Sequence, residues 1–496
     1  MTVLRRTLAA ALTTLLCTAA AQAQDRPNQQ EATAQISAVL SLMSGGALGT
    51  PDHPAQITPD GDAFRVQVPL PAITDPTGAS LTAQVKPVGG GVWDITSASL
   101  PSSGSFTLQQ ANKVQPSQLS FSIGQQMITG RIDSSLAQPS PFNVALTDVR
   151  IKAVTGDEQS EQTIARQTLQ GTLSGEANNR VTLRTQGTAS DWHISARAAD
   201  GTTRNSRIRS AASAFEIEGL DRAQAAKLRT AAQSFVGTVQ AVGPDAPKQK
   251  ELTEPQRQQL GAILDALQGV VGRVNIEETL EGVHFEGPTG AEGDVSRLRF
   301  AMAGESRDDR LNADIDLTLH DLSVANVPPE LAAYLPTLLQ IRPEVAGIRS
   351  SALLHFLHHA AAGMPPDALQ AEALGLLNEP GARLGIQTLS MTAGPLRIDG
   401  SGRVLPPTGG NPGIEAHIVA HGVDATLAKV QGNPKTAKFM PLVYLAKGMA
   451  RAEGDALVWD IRLVDGAVFV NGAPLTPSGP PPSGPPPAHG APKKAH

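Results

Sequence analysis

The sequence has 496 residues, a formal net charge of −6 and a pI near 6.0, which excludes the basic surface expected of a nucleic-acid-binding protein. A single cysteine excludes an intrachain disulfide framework. Only 3% of the residues are aromatic, whereas 47 are glycine and 38 are proline, a composition that favours many short strands and turns over long helices.

The first residues predict export. Arg5 and Arg6 precede an apolar run over 8–21, and the run ends in the small-residue triplet that closes at Ala23, so residues 1–23 are predicted to be a cleavable secretory signal peptide. Cleavage would leave no cysteine, because Cys17 lies inside the apolar run. No later segment has about 18 uninterrupted apolar residues. We therefore expect a periplasmic protein with no transmembrane anchor after cleavage.

The next two segments differ in their apolar period. Residues 24–58 are predicted to hold one short helix and a linker, because Ile36, Val39 and Leu40 recur at helical spacing. From 59 to 218 the period changes to two, which predicts a first β region of antiparallel hairpins. The alternating apolar positions of this region include Phe64, Val66, Val68, Phe142, Val144, Leu146, Trp192 and Ile194.

The apolar residues then recur at helical spacing, and after that they alternate with polar residues again. A helical connector is predicted over 219–273, with a break at 243–247 that separates two helices. A second β region is predicted over 274–475. Within it, residues 328–378 are predicted to form a helical insert, and Asp399-Gly400 is predicted to form a hairpin turn.

The last part of the chain has the clearest pattern. A helix predicted over 435–449 leads into a strand, and Asp465-Gly466 has the chemistry of a hairpin turn. The apolar residues on one face of that strand are Leu457, Trp459, Ile461 and Leu463. Residues 476–496 are rich in proline, glycine and serine and are predicted to form a disordered tail with polyproline character.

One tetrapeptide, Val-Trp-Asp-Ile, occurs twice, at 92–95 and at 458–461. In both copies the tryptophan and the isoleucine share one strand face and the aspartate faces the other. Duplication of one strand type and chance are both open explanations.

The terminal hairpin, over 455–463 and 466–475, resembles the closing hairpin of uncharacterised exported proteins of Gram-negative bacteria that are similar to AsmA-like envelope proteins. The segment 321–345, with Leu335-Pro336 and Ile341-Arg342-Pro343, resembles their β-to-helix insert. The membrane anchor that is usual in that family is replaced here by the cleavable signal. The resemblance implies a long curved sheet with an apolar concave face and a role near lipids or in outer-membrane upkeep. It implies no catalytic residues.

A histidine cluster is the densest group of metal-capable residues. On a helix, His355 and His359 would lie one turn apart on the same face, as in zinc sites, with His358 beside them. Phe356 stands where a zinc protease needs its glutamate, and no third ligand is evident. A partly exposed helix face therefore explains the cluster better than a metal site, and no metal or other cofactor is expected.

Acidic and hydroxyl residues offer no clear catalytic set. Neighbours such as Asp308-Asp309 and Glu277-Glu278 point apart in a strand or turn, so they cannot converge on one substrate. Asp314 and Asp316 share a strand face but alternate with apolar residues, as the wet side of a strand does. Ser401, between two glycines, is assigned to the predicted hairpin turn, and no Gly-x-Ser-x-Gly motif is present.

The predicted helix over 435–449 has two explanations. Its apolar residues stand beside Lys435, Lys438 and Lys447, so it could lie on an anionic membrane surface. A helix that covers one end of a sheet would have the same pattern. Three lysines in an acidic protein are a weak membrane signal, so the covering helix is the favoured interpretation.

These observations predict an α+β protein, mostly antiparallel, with long curved β-sheet in two β regions and with connecting and covering helices. The leading functional hypothesis is a non-catalytic periplasmic protein that binds lipid or another apolar ligand on a sheet face, or that supports envelope assembly. The alternative is a structural or protein-interaction module whose sheet faces are filled by its own helices and whose proline-rich tail is the contact site. An enzyme that uses the histidine cluster ranks third.

Overall fold

The structure, a computed structural model, describes residues 27–43, 54–70, 79–89, 91–108, 116–133, 138–175, 180–241, 253–287, 292–328, 332–408, 411–431 and 440–475. The predicted signal peptide and proline-rich tail lie outside these residues, as do Lys435 and Lys438. Among the described residues, the chain forms one large, curved, open sheet in which every strand pair is antiparallel. This confirms the mostly antiparallel, β-rich part of the prediction.

The first eleven strands come before the helical connector. They are β1 Gln56–Asp60, β2 Ala63–Pro69, β3 Ser80–Gly89, β4 Val92–Ser99, β5 Ser103–Leu108, β6 Ser117–Ser122, β7 Gln125–Asp133, β8 Gln138–Thr155, β9 Glu158–Gly175, β10 Arg180–Arg197 and β11 Thr203–Asp221. The strands that follow are β12 Arg273–Glu286, β13 Glu292–Arg307, β14 Arg310–Val324, β15 Leu338–Arg349, β16 Arg383–Ala393, β17 Leu396–Thr408, β18 Asn411–His421, β19 Arg451–Glu453, β20 Ala456–Val464, β21 Ala467–Val470 and β22 Ala473–Pro474.

The described helices are α1 Gln29–Met43, α2 Arg222–Ala241, α3 Glu254–Leu267, α4 Ser350–Ala361, α5 Pro366–Leu377, α6 Val423–Val430 and α7 Met440–Met449. Helix α3 begins at a capping box, in which the Thr253 hydroxyl accepts from the backbone N–H of Gln256 while the Gln256 side chain accepts from that of Thr253. None of the helices in the described part of the chain is both long and apolar enough to cross a membrane.

Most strands pair with their neighbours in sequence. The order across the sheet is β1-β2-β3-β4-β7-β8 and then β9 to β18 in sequence, followed by β20-β21-β22. The β5–β6 hairpin joins the outer half of β8, and β19 joins the start of β20. Because β11 and β12 pair along most of their length, the two predicted β regions form one continuous sheet.

The predicted helical insert over 328–378 is wrong for its central part. Residues Leu338–Arg349 form strand β15, which pairs with β14 on one side and β16 on the other. Leu339, Ile341 and Val345 suit a pleated strand, and Pro343 is tolerated because it sits where the register shifts against β16. The later part of the predicted insert is helical, as α4 and α5.

The predicted hairpin turn at Asp399-Gly400 is also wrong. The turn lies at Gly394-Pro395, and Gly400 and Ser401 belong to strand β17. A Cβ atom at Gly400 would lie 3.2 Å from the carbonyl oxygen of His417 on β18, so the glycine permits a close approach of two strands.

Helix α1 covers the first four strands and β7, and the residues between them form a closed core. Val68 has no exposed surface and Trp93 has 2%, and the rings of Phe64 and Trp93 meet edge to face with centroids 5.8 Å apart. The apolar positions Val39 and Leu40 of α1 are buried against this part of the sheet.

Four residues that line up across alternate long strands adopt left-handed backbone conformations. They are Asp148 in β8 (φ 51°), Asp191 in β10 (φ 48°), Gly282 in β12 (φ 59°) and Asp321 in β14 (φ 49°). Aspartate and glycine are among the residues that adopt this conformation most readily. Directly beside them runs one row of paired apolar residues across seven strands: Val149, Ile164, Trp192, Ile208, Val283, Val295 and Leu322. We call the line of the four left-handed residues the crease.

The crease shifts the phase of the strand alternation. On β8, Leu146 and Val149 are both 2% exposed and belong to one buried cluster, although regular alternation puts residues three apart on opposite faces. The left-handed Asp148 lies between them. Strand β8 therefore keeps these apolar residues on one side of the sheet across the crease.

Candidate functional site

The central part of the sheet carries an apolar groove of about 660 Å³. Its lining residues are Gln162, Trp192, Ile194, Ile208, Glu278, Leu280, Leu298, Arg299, Phe300, Leu317, Thr318, Leu319, Leu339 and Ile341. They come from the seven neighbouring strands β9 to β15. We call this surface the groove, and the side of the sheet that carries it the groove face. Its volume lies within the range of small-molecule binding sites.

Strand register aligns the apolar side chains of the groove in rows. One row consists of directly paired residues on four strands: Leu280, Leu298, Leu319 and Leu339. A second row beside it consists of Phe300, Leu317 and Ile341. Ile208 lines the same surface as Leu280, whose partner on β11 is Ala211. Ile208 and Ala211 are three residues apart, a separation that regular alternation would put on opposite faces, so β11 also shows the phase shift at the crease.

The groove is open to solvent. All of its lining residues belong to strands, so none of the described helices contributes to it. Leu317 leaves 44% of its surface exposed at the middle of the groove. The described part of the chain thus leaves an apolar face without a covering helix at this position.

The groove face continues toward the last strands. From Ile341, direct pairing leads through Leu389, Gly400 and Ile418 to Trp459 on β20. There the indole Nε1 of Trp459 donates a 2.8 Å hydrogen bond to the carbonyl oxygen of Ala446 in α7.

Helix α7 therefore contacts this end of the face at Trp459, and its described bounds, Met440–Met449, match the later part of the predicted helix over 435–449. Its outer side carries exposed apolar residues, among them Leu442 and Leu445. Lys447 forms an ion pair with Asp424.

The opposite face of the sheet is polar. Arg299 lies between two carboxylates, 2.8 Å from Glu277 and 3.0 Å from Asp316. Burial raises the pKa of Asp316, but hydrogen bonds from Gln340 and Thr318 and the charge of Arg299 outweigh it, so this pKa lies below its ordinary value. A carboxylate held in its charged form in an ion-paired network is a poor general acid.

The other acidic candidates are separated in the structure. Glu277 is on the polar face and Glu278 lines the groove, so the two neighbours point to opposite sides, as expected. Asp309 accepts hydrogen bonds from the hydroxyl and the backbone N–H of Ser351, which lower its pKa and satisfy one backbone N–H in the first turn of α4. Asp314 accepts a 3.3 Å hydrogen bond from Gln387. No two of these carboxylates are brought together as a catalytic pair.

The histidine cluster lies on α4, and α5 adds a third residue to it. His355 Nδ1 lies 2.9 Å from Oε1 of Glu372, and His359 Nδ1 lies 2.9 Å from Oε2 of the same carboxylate. The two imidazole centroids are 4.0 Å apart. Hydrogen bonds from His359 and His355 lower the pKa of Glu372.

His358 faces a different helix. Its Nε2 lies 3.0 Å from Oδ1 of Asp265 on α3, so it is not part of the group formed by His355, His359 and Glu372. Two of the three clustered histidines therefore converge on one carboxylate, and the third tethers α4 to the connector.

Two sets of residues were missed from the sequence. The groove positions Leu280, Leu298 and Leu339 could have been found from apolar residues that keep one face across neighbouring hairpins. Pro365-Pro366 marks a break between the helix that carries the histidines and the helix over 366–377. Antiparallel packing of these two helices would have indicated Glu372 as a neighbour of the histidines.

Residues 262–478 match the model of a bacterial family described as "Uncharacterized protein conserved in bacteria (DUF2125)". The match covers less than half of the chain. It begins in α3 and includes β12 to β15 of the groove and the histidine cluster on α4 and α5. Neither the curated proteins nor the solved structures give a match.

Proposed function

We propose that this protein is a non-catalytic periplasmic protein that binds a lipid or another apolar molecule along the groove. The observation that carries the proposal is an apolar face across seven strands that is lined by strand residues alone. Folding leaves such a surface in contact with water only at a cost in free energy, and exposed apolar patches of several hundred Å² commonly mark a binding surface. A bound acyl chain or similar molecule would remove that cost.

The polarity of the groove supports an apolar ligand. Ten of its fourteen lining residues are aliphatic or aromatic. Of the four polar ones, Gln162 and Glu278 offer a few positions for hydrogen bonds, whereas the side chains of Arg299 and Thr318 hydrogen-bond with Asp316. Sites for small molecules commonly combine an apolar lining with a small number of polar groups. A role in envelope upkeep and a relationship to AsmA-like proteins belong to the same proposal.

The three tryptophans offer a direct test, because they lie in different surroundings. Trp192 lines the groove, Trp93 is buried in the core under α1, and Trp459 lies under α7. A brominated fatty acid quenches the fluorescence of tryptophans that it contacts. We expect it to quench the wild-type protein, with the quenched fraction reduced in Trp192→Phe and increased in Trp93→Phe. Equal quenching in both variants, or none in the wild type, would contradict the proposal.

A charge in the groove gives an independent test. Leu317→Asp should reduce the lipid found by mass spectrometry in organic extracts of the purified protein, because it places a carboxylate on the apolar face. Met127→Asp is the matched control, since Met127 is 58% exposed on β7, outside the groove. Clean extracts from the wild-type protein, together with no fatty-acid binding, would reject the lipid hypothesis.

A second candidate, the structural or protein-interaction module, is favoured at the two ends of the sheet. Helix α1 closes the face of the first strands and α7 covers Trp459, as expected of a sheet filled by its own helices. If the groove binds no lipid in either experiment, this candidate takes the place of the first.

A further inference from the structure

We propose that His355, His359 and Glu372 form a binding site for a first-row divalent transition-metal cation between helices α4 and α5. The inference is independent of the groove. It rests on two imidazoles and one carboxylate whose potential ligand atoms all lie within 4.8 Å of one another.

The donor set suits such a cation. Two histidines and one glutamate make up the protein ligands of many catalytic zinc sites, and the same set with open positions also binds other first-row metals. In a tetrahedral site with bonds of about 2.0 to 2.2 Å, the ligand atoms lie about 3.4 Å apart. The distances of 2.9 Å between each Nδ1 and the nearest carboxylate oxygen are therefore close to those of a formed site, and small side-chain rotations would admit a cation.

The backbone fixes the three side chains in place. His355 and His359 are four residues apart on α4, so they lie on one face of the helix a turn apart. Glu372 is in the middle of α5, and only four residues, Ala362 to Pro365, separate the two helices. A short connection between two regular helices holds the carboxylate against the histidines and limits the rearrangement that metal binding needs.

The site has an accessible side. The side chain of His355 is 65% exposed, whereas those of His359 and Glu372 are 34% and 24% exposed. A cation can reach the cluster from solvent, and water can supply the remaining ligands. Coordination through Nδ1 leaves each Nε2–H free to hydrogen-bond with solvent. Because Phe356 replaces the glutamate of the zinc-protease motif, the inference concerns binding and not hydrolysis.

The test is Zn²⁺ binding to the full, untagged chain after removal of metal with a chelator, measured by isothermal titration calorimetry. We expect one equivalent to bind, with the affinity reduced at least about tenfold in His355→Ala, His359→Ala and Glu372→Gln. His358→Ala is the matched control and should bind like the wild type. Circular dichroism of each variant verifies that it is folded, and Glu372→Gln retains the size of the side chain.

Thermal unfolding gives a second measurement. Zn²⁺ should raise the unfolding temperature of the wild type and of His358→Ala but not of the other three variants, because a ligand that binds only the folded state stabilises it. Absence of a stoichiometric site, or one that survives in all three variants, would overturn the inference and leave Glu372 as a hydrogen-bonded link between the helices.

Discussion

The end of the sheet under α1 and the groove in the middle of the sheet are built from the same kind of strand, but their apolar faces differ in whether a helix covers them. Under α1, Val68 and Trp93 are buried, and the face is closed by a helix from the same chain. In the middle of the sheet, Leu317 is 44% exposed and the lining comes from strands alone. Strand alternation thus determines which side of a sheet is apolar. It does not determine whether that side is covered.

The difference also separates covered from uncovered apolar residues. A covered residue contributes to stability through burial, whereas an uncovered one contributes less to stability and is available for a ligand. The same substitution should therefore have different consequences in the two regions, and the following predictions use this contrast.

The largest effect is expected for Trp93→Ala in the closed region. Truncation of a nearly fully buried tryptophan removes apolar burial and leaves a cavity, so unfolding free energy should fall by about 3 to 5 kcal/mol. Chemical denaturation monitored by circular dichroism measures this. A loss below about 1 kcal/mol would show that the core under α1 is not closed.

A smaller loss is expected for Trp459→Ala at the end covered by α7. The side chain is half-buried and donates to Ala446, so we expect a loss of about 2 kcal/mol from reduced burial and one missing hydrogen bond. Trp459→Phe retains most of the apolar surface and should recover the larger part of that loss. A cost equal to that of Trp93→Ala would mean that both ends are closed equally well.

The crease should tolerate glycine but not a β-branched residue. Asp191 has a φ of 48°, a conformation that is strained for valine, so Asp191→Val should cost about 1 to 2 kcal/mol. Asp191→Gly should cost little, since glycine adopts this conformation without a Cβ clash. Thermal unfolding of the two variants provides the comparison, and equal stabilities would contradict the role of the left-handed residue.

Leu317→Ala in the open groove should cost less than about 1 kcal/mol, because almost half of the side chain is already exposed. The effect should instead appear in lipid content, which mass spectrometry of organic extracts measures. A stability loss of several kcal/mol with unchanged lipid would place Leu317 in a closed core and remove the contrast between the two regions.

The smallest effect is expected on the polar face. A hydrogen bond to Asp294, helped by the nearby Glu292 and Glu286, raises the pKa of His284 above its ordinary value. A raised pKa in the folded state stabilises the protein below the unfolded pKa of about 6.5, and this contribution is lost as the pH rises through the folded pKa. His284→Gln should lose this part of the pH dependence in thermal unfolding. An unchanged pH profile would show that the pair contributes nothing to stability.

Much of the fold could be predicted from residue patterns. Alternation and turn residues such as Asp200-Gly201 and Asp465-Gly466 indicate antiparallel hairpins, and the structure has turns at both places. Helical spacing indicates the two helices α2 and α3 of the connector. These features depend on neighbours in sequence, which is why local patterns reveal them.

Other features depend on distant parts of the chain. A left-handed residue such as Asp321 shifts the alternation of apolar and polar residues by one position. In the sequence, such a shift resembles the end of a strand. The leucines and the proline of strand β15 fit either a helix or a strand, and only pairing with β14 and β16 decides between the two. Glu372 joins the histidines through a contact between two helices that residue spacing alone does not specify.

The crease has a consequence for how such a sheet can change in length. The first strand of each of the hairpins β8–β9, β10–β11, β12–β13 and β14–β15 contains one residue of the crease. A hairpin is therefore the repeating module of this part of the sheet, whatever its sequence. Insertion or loss of one module would lengthen or shorten the groove by about 10 Å, two strand spacings, and leave its cross-section unchanged. In each module, a strand with a crease residue is followed by a strand without one. Insertion of a single strand would break this order, so the number of strands in this part of the sheet should change only by even numbers.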